Sequence, residues 1–378
     1  MGESGFAAGI REAQAAGRKP VDLTVSNPTV CGFAYDAEAI LAPLGSLAAM
    51  TYDPDPRGMR SAREAVAGYY GDHGASVDPD AVVLTTSTSE GYGYLFRLLC
   101  NAGDEVLVAQ PSYPLFDFLA DLEDVKLKTY PLFYDHGWWI DFTELERRIG
   151  PQTKAIVVVH PNNPTGHATG VEERRRLEEI CVRHELALIV DEVFLDYPLG
   201  EERLTSFAVG PHPALTFCLS GMSKIAGLPQ MKVGWIVGLG QEVVRREAMG
   251  RLEVIADTFL SVNAPMQIAL PIWLERRKGI QGQILERVRR NLGAAQESAV
   301  EVLRVAAGWS AILRLPQMVG GEAAERLLRD AGVVVHPGSF YGIPESGRVV
   351  VSLLGPQGEF IEGLERIVHG QKLNHSSY

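Results

Sequence analysis

The feature that most constrains this chain is a set of short, wholly apolar runs separated by amphipathic stretches. Ala155-Ile156-Val157-Val158-Val159 and Leu186-Ala187-Leu188-Ile189-Val190 contain no polar residue. A strand of that kind has no face to offer to water, so it belongs inside a parallel sheet covered by helices on both sides. The same alternation predicts strands at 81–84, 105–109, 215–219 and 234–238, with helices at 90–100 and 171–184 between them. In the second helix Leu177, Ile180 and Cys181 share one face and Arg and Glu residues fill the other, which suits packing on a sheet. The expected fold class is α/β, built on a mostly parallel central sheet.

Beyond residue 269 the pattern changes. Ile284, Val288, Leu292, Ala295, Ala299 and Val302 trace an apolar stripe that predicts one long helix over 281–306. Strands near 311–315, 333–336 and 348–354, with helices near 322–331 and 359–368, describe a second, smaller α/β lobe. The first 45 residues, rich in Gly, Ala and Pro, have too little periodicity to fold alone and read as an arm over the rest. The expected division is an arm belonging to the small lobe over 1–45, a large domain over 46–270 and a small domain over 271–378. The polar tail 372–378 is the one low-complexity segment.

Composition excludes several classes of function. With 35 Lys and Arg against 47 Asp and Glu the formal charge is −12, so a nucleic-acid backbone is repelled on average and no nucleic-acid partner is expected. No apolar run approaches the roughly 20 residues that cross a bilayer, and the N-terminal segment has no apolar signal core, which predicts a cytoplasmic protein. Cys31, Cys100, Cys181 and Cys218 form no CxxC pair and read as reduced, buried thiols. His160, His167 and His184 make no HExxH-like ligand pair, so no metal is expected. Gly238-Leu239-Gly240 lacks the third glycine of a dinucleotide fingerprint, and neither GxxxxGK[ST] nor GxSxG occurs.

Three segments carry chemistry. Within residues 216–238, SGMSKIAGLPQMKVGW places Lys224 just after an apolar strand, where burial lowers the pKa of an amine and favours a Schiff base. In isolation such a lysine is far more often a solvated surface group. The run 186–190 ends abruptly in Asp191-Glu192, and a carboxylate at the C-terminal end of a parallel strand sits where open α/β sheets bind ligands. Upstream, VVVHPNNPTG runs a strand into Asn-Pro and Thr-Gly turns that present Asn163 at the same edge. Taken singly, a helix cap explains Asp191 and a plain turn explains Asn163.

Taken together, NNPTG, DE after an apolar strand, SGMSK and KVGW, in that order and spacing, resemble the class I/II aminotransferases among the pyridoxal 5′-phosphate (PLP) enzymes of fold type I, over about residues 27–364. The resemblance implies PLP as cofactor, with Lys224 holding it covalently and moving the substrate proton. It implies Asp191 as partner of the pyridine nitrogen, Asn163 near the phenolic oxygen, and Tyr113 stacked on the ring. Thr88 and Ser89, in TTSTSEG at a strand-to-helix junction, are the phosphate ligands implied there, because a helix N-terminus favours an anion. Ser220, Ser223 and Lys232 join them; Lys232 stands where the family usually has arginine, and keeps the charge without the bidentate fork.

Tyr52 resembles the tyrosine that reaches a neighbouring subunit's cofactor, which implies a homodimer. Arg348 is the positional match for the substrate carboxylate and Asn27 for the arm residue closing over the substrate. Phe194 departs from the DExY pattern and removes a hydroxyl that would bond the phenolic oxygen. The activity implied is transfer of an amino group between an L-amino acid and a 2-oxo acid. Phe33 and Tyr35 in the arm, with no second arginine evident, point to a neutral or hydrophobic side chain. A PLP-dependent lyase, decarboxylase or synthase is the alternative. A PLP-binding regulator is disfavoured, since no basic helix-turn-helix segment occurs.

Overall fold

The computed structural model describes Arg11 and residues 19–201, 203–316 and 323–373. The start of the expected arm, the start of the helix expected from 322 and the end of the polar tail lie outside the described residues. The arm enters as strand β1 (Val21–Asp22), and its Leu23 carbonyl accepts a hydrogen bond from Ser352 N at 2.7 Å. Farther on, the Tyr35 hydroxyl donates to the Gly227 carbonyl at 2.8 Å. The arm thus ties the C-terminal region to the segment just past Lys224.

The main sheet contains β2 (Val82–Thr85), β3 (Glu105–Gln110), β4 (Lys126–Tyr134), β5 (Trp138–Ile140), β6 (Thr153–Val159), β7 (Ala187–Asp191), β8 (Thr216–Gly221) and β9 (Gly234–Leu239). Its order is β2-β9-β8-β7-β6-β3-β4-β5. β9 runs antiparallel to β2 and β8, and β5 antiparallel to β4; the other neighbours are parallel. The β4–β5 hairpin had no expectation at the sequence level, because Lys126-Leu127-Lys128-Thr129 alternates instead of forming an apolar run.

Helices cover both faces, as the apolar strands require. Helix α1 (Arg60–Asp72) and helix α2 (Thr88–Leu99) lie on opposite sides, followed by α3 (Val171–Arg183), α4 (Glu242–Phe259) and α5 (Ala264–Glu297). Tyr92, Leu95 and Phe96 of α2 and Met249 and Leu252 of α4 pack on Val106, Val157 and Ile189. Tyr69 and Tyr70 of α1 and Leu177 and Ile180 of α3 pack on Leu107, Ile156 and Leu188. Adjacent residues of β7 therefore serve opposite faces, each burial stabilising by about 1.5–3 kcal/mol per large side chain.

The long helix differs from its expected span of 281–306. It begins at Ala264, where the Asn263 side chain accepts a hydrogen bond from Met266 N and Pro265 occupies the first turn, which needs no N–H there. It ends at Glu297, capped by Ser298, whose hydroxyl donates to the Ala295 carbonyl. Val302, which completes the apolar stripe, instead lies in strand β10 (Glu301–Val302) and pairs with Leu313. Periodicity does not register that a strand partner is waiting. The boundary expected between 270 and 271 falls inside this helix.

The smaller antiparallel sheet adds β11 (Ser310–Arg314), β13 (His336–Pro337) and β14 (Arg348–Ser352) to β10 in the order β10-β11-β14-β13, while β12 (Val333–Val334) pairs with β1. The single strand expected over 333–336 is thus split between two partners. Between the sheets, Ala323–Arg326 is a single α-turn that widens into a π-type turn over Leu327–Ala331. The last helix, α6 (Gln357–Leu373), buries Phe360, Leu364 and Ile367. Among the described residues no helix is long and apolar enough to cross a membrane.

The two sheets are joined at the NNPTG turn. The Gly166 carbonyl accepts hydrogen bonds from Ala306 N and Ala307 N, both at 3.1 Å. Gly166 has φ +67°, and a Cβ there would lie 2.7 Å from the Ala307 carbonyl oxygen and 2.5 Å from Val305 Cγ1. Left-handed strain and overpacking each cost about 1–3 kcal/mol, so Gly166→Ala is expected to destabilise the protein by about 2–4 kcal/mol in chemical denaturation. An unchanged midpoint would show that this turn does not hold the two sheets together.

Candidate active site

Strands β2, β3, β6, β7 and β8 all point the same way, so the segments that follow them emerge at one edge of the sheet. Residues 86–89, 111–113, 160–163, 191–194 and 222–224 therefore converge there, joined by the start of antiparallel β9. Every motif with chemistry in the main sheet lies on that edge, where open α/β sheets bind ligands.

Lys224 sits in the helical turn Met222–Ile225 directly after β8, and the Tyr197 hydroxyl donates to its carbonyl at 2.6 Å. Its Nζ lies 5.2 Å from the Trp309 ring centre and 5.8 Å from that of Phe194. Burial lowers the pKa of this amine; the Asp191 carboxylate opposes that shift. Asp191, at the end of β7, accepts hydrogen bonds from Val193 N and from the Tyr92 hydroxyl, each at 3.1 Å. Burial nevertheless pushes its carboxyl up to about 6.

The adjacent acid has a separate task. Glu192 is fully buried and accepts from Phe207 N at 2.6 Å and the Ser206 hydroxyl at 2.8 Å, anchoring the loop before β8. Burial pushes it up to about 7. Of the two acids, Asp191 is the one whose charge acts on Lys224.

Thr88 and Ser89 are the first two residues of α2, but the residue that caps this helix is Ser87, whose hydroxyl accepts from Glu90 N at 3.2 Å. Ser223 lies beside Lys224 in its turn, and the buried Ser220 hydroxyl donates to the Glu192 carbonyl at 3.4 Å. Gly221 and Gly234 face each other across β8 and β9. A Cβ on Gly234 would lie 3.0 Å from the Ser87 carbonyl carbon, and one on Gly221 would lie 2.8 Å from the Val233 carbonyl oxygen. These glycines let three main-chain segments approach closely beside the first turn of α2. Lys232, two residues before Gly234, is exposed, with a left-handed φ of 50°.

Asn163 lies in the turn after β6, with Oδ1 accepting from the Ser310 hydroxyl at 3.4 Å. Tyr113 follows β3, edge-on to Phe116; burial raises its pKa and the charge of Asp191 adds to the rise. Tyr52 is 73% exposed and lines a narrow cleft with Leu84, Leu260 and Gln267. Phe194 is buried edge-on against Trp309, with 5.4 Å between ring centres.

Arg348 is not placed with the others, and Asn27 lies in an arm turn whose Pro28 packs beside Gly227, three residues past Lys224. Asn27 is spent on its own turn, its Oδ1 accepting from Thr29 N and the Thr29 hydroxyl. In β14 it is Ser352 that stands opposite Ser310, the partner of Asn163, whereas Arg348 stands opposite Arg314 at the other end of the ladder. Four strand residues span about 13 Å. The Arg348 guanidinium is paired there with Glu345 at 3.2 Å.

Tyr92, Tyr197 and Trp309 carried no expectation from the sequence. Tyr92, Leu95 and Phe96 form an i, i+3, i+4 stripe that reads only as core, and nothing local to Trp309 announces contact with Lys224.

The aminotransferase class I and II family model matches residues 43–367. This chain belongs to that family. Glutamate-pyruvate aminotransferase AlaA of Haemophilus influenzae is 31% identical over 278 residues, covering 71% of this chain and 67% of that protein. The Escherichia coli K12 protein of the same name is 29% identical over 255 residues, covering 67% and 63%. The alignments thus span about two thirds of the relatives' length. A Thermus thermophilus aspartate aminotransferase double mutant matches with TM-score 0.85 and 25% identity, covering 98% of this chain and 97% of that one. Alanine aminotransferase from Pyrococcus furiosus has the same fold, with TM-score 0.87, 21% identity, and 98% and 96% coverage.

The family is PLP-dependent, and the site of this aminotransferase fits that cofactor. Two glycines without a Cβ let the main chain close in beside the first turn of α2, whose N-terminal N–H groups suit a phosphate. A buried carboxylate at the end of β7 suits a protonated ring nitrogen, and a partly buried amine lies within its electrostatic reach.

Without cofactor, ionised Asp191 is a burden on the fold. Its proton is held more tightly in the folded state, so the stability this confers is full below its ordinary pKa of 3.8 and is lost as pH rises through about 6. The difference of roughly two units corresponds to about 3 kcal/mol. In cofactor-free protein, Asp191→Asn is therefore expected to become more stable relative to wild type by up to about 3 kcal/mol between pH 4 and pH 7, read by chemical denaturation. A difference that does not change with pH would contradict the raised carboxyl.

Proposed function

We propose that this aminotransferase moves an amino group between a neutral L-amino acid and a 2-oxo acid by a ping-pong mechanism, as a homodimer in the cytoplasm. The observation that carries the reading is a partly buried Lys224 amine within electrostatic reach of the buried Asp191 carboxylate at the edge where the parallel strands end. PLP bound there supplies an electron sink for the negative charge left on the substrate's Cα when its proton departs.

The remaining work falls to the chain's own groups. Burial favours an uncharged Lys224 Nζ, which can take the Cα proton and return it on the other side of the transfer. Asp191, held by Tyr92 and Val193 N, fixes a negative charge where the pyridine nitrogen would sit and keeps that nitrogen protonated. Thr88, Ser89, Ser220 and Ser223, with Lys232, would hold the phosphate. Tyr113 would stack on the ring and Asn163 would donate its side-chain amide to the phenolic oxygen. Phe194 offers no second donor there, and this favours the alternative of a lyase, decarboxylase or synthase as the second reading.

The homodimer is supported by Leu47, Met50, Tyr52 and Leu260, large apolar side chains each more than two thirds exposed, the last two at one cleft. Such a patch is costly unless another surface covers it.

The test is the visible spectrum of the PLP-reconstituted protein with single amino acids and no acceptor, alongside Lys224→Ala. The expected outcome is one turnover that bleaches the cofactor's visible band and stops until a 2-oxo acid is added. Lys224→Ala should be slower by at least about 10²–10⁴-fold. Continued release of pyruvate, ammonia or carbon dioxide without acceptor would establish the lyase reading instead.

A further inference from the structure

Trp309 is the largest side chain against the reacting amine, and no motif pointed to it. It sits just before β11, with its carbonyl accepting from Leu353 N at 2.7 Å. Gly308 N donates to the Tyr197 carbonyl at 2.9 Å, with Gly308 in the left-handed region at φ +93°. On the other side Ser310 reaches Asn163. The indole is therefore fixed from both sheets. It is 2% exposed and packs edge-on against Phe194 and Tyr197, at 5.4 and 4.9 Å between ring centres.

Its place relative to Lys224 gives it a consequence for the substrate. A carbon that exchanges a proton with Nζ must come within roughly 3–3.5 Å of it. The Trp309 ring centre is 5.2 Å from Nζ and that of Phe194 is 5.8 Å, and both rings are packed out of water, so they already occupy space beside the amine that a larger donor side chain would need. The indole Nε1 is buried with no hydrogen-bond partner, so the side chain is not held there by its polar atom. A phenyl ring would fill much of this volume without burying an unpaired N–H, which normally costs stability.

Resting on the transaminase reading, we propose that Trp309 is a specificity-determining residue: its indole fills the space beside Lys224 and restricts the amino donor to a small, uncharged side chain. A bulky donor would have to displace a ring pinned by two sheets. A carboxylate-bearing side chain would meet two aromatic rings and gain no partner from either.

The test compares wild type, Trp309→Ala and Trp309→Phe, all PLP-reconstituted, with alanine and phenylalanine as donors. The expected result is that wild type prefers alanine, and that Trp309→Ala shifts the kcat/KM ratio toward phenylalanine by at least about tenfold, since even one methylene is worth that much in a tight pocket. Trp309→Phe should shift it less, in the same direction, and keeps the question open to measurement if the alanine variant does not fold. Calorimetric titration with pyruvate and phenylpyruvate gives a readout without turnover, and should show Trp309→Ala gaining affinity for the larger acid only. A merely structural indole would lower the unfolding midpoint and leave both ratios unchanged; that result, or a wild type that takes phenylalanine as readily as alanine, overturns the assignment of Trp309. A wild type that transaminates no donor overturns the transaminase reading, and this proposal with it.

Discussion

The structure depends on one electrostatic constraint: a buried carboxylate and a partly buried amine are held at the same sheet edge. Burial raises the Asp191 carboxyl and lowers the Lys224 amine, so each is pressed toward its neutral form. Such groups are tolerated only when hydrogen bonds or a ligand compensate them. Val193 N and the Tyr92 hydroxyl supply part of that for Asp191. A cofactor with a protonatable ring nitrogen and a carbonyl that condenses with an amine supplies the rest. The tension in the cofactor-free site is thus the counterpart of its affinity when loaded.

The architecture serves this edge. Parallel strands bring the ends of β2, β3, β6, β7 and β8 together, and the single antiparallel strand β9 feeds Gly234 against Gly221 from the opposite direction. Helix α2 begins just past β2, so its N-terminus lies at the same edge. Meanwhile the smaller sheet is clamped at the NNPTG turn by Gly166, and through Ser310 it touches Asn163. Substrate selection is therefore shared between the two sheets: the larger one carries the reacting amine and the smaller one brings Trp309.

Phe194 and Trp309 belong together in this light. With phenylalanine in the DExY position, the space beside Lys224 is filled by edge-to-face aromatic contact and not by a hydroxyl. Phenylalanine keeps the ring of a tyrosine and lacks only its hydroxyl, so the departure from DExY removes a polar donor while the edge-to-face contact with Trp309 is kept.

The sequence by itself determined the layered α/β fold and singled out candidate residues that the fold brings to one sheet edge. Wholly apolar five-residue strands admit only a covered parallel sheet, and Lys224, Asp191, Asn163 and the Thr88-Ser89 pair each lie within a few residues of a strand end, where local pattern is informative. Only the tertiary structure decided where the long helix begins and ends, because Val302 continues the helical stripe yet finds a strand partner in Leu313. Only it showed that Arg348 is turned to Glu345 at the far end of β14, that Asn27 caps its own turn, and that Tyr92 and Trp309 reach the two buried charges. These are contacts between residues far apart in the chain, and neither periodicity nor spacing encodes which distant side chain will fill a given gap.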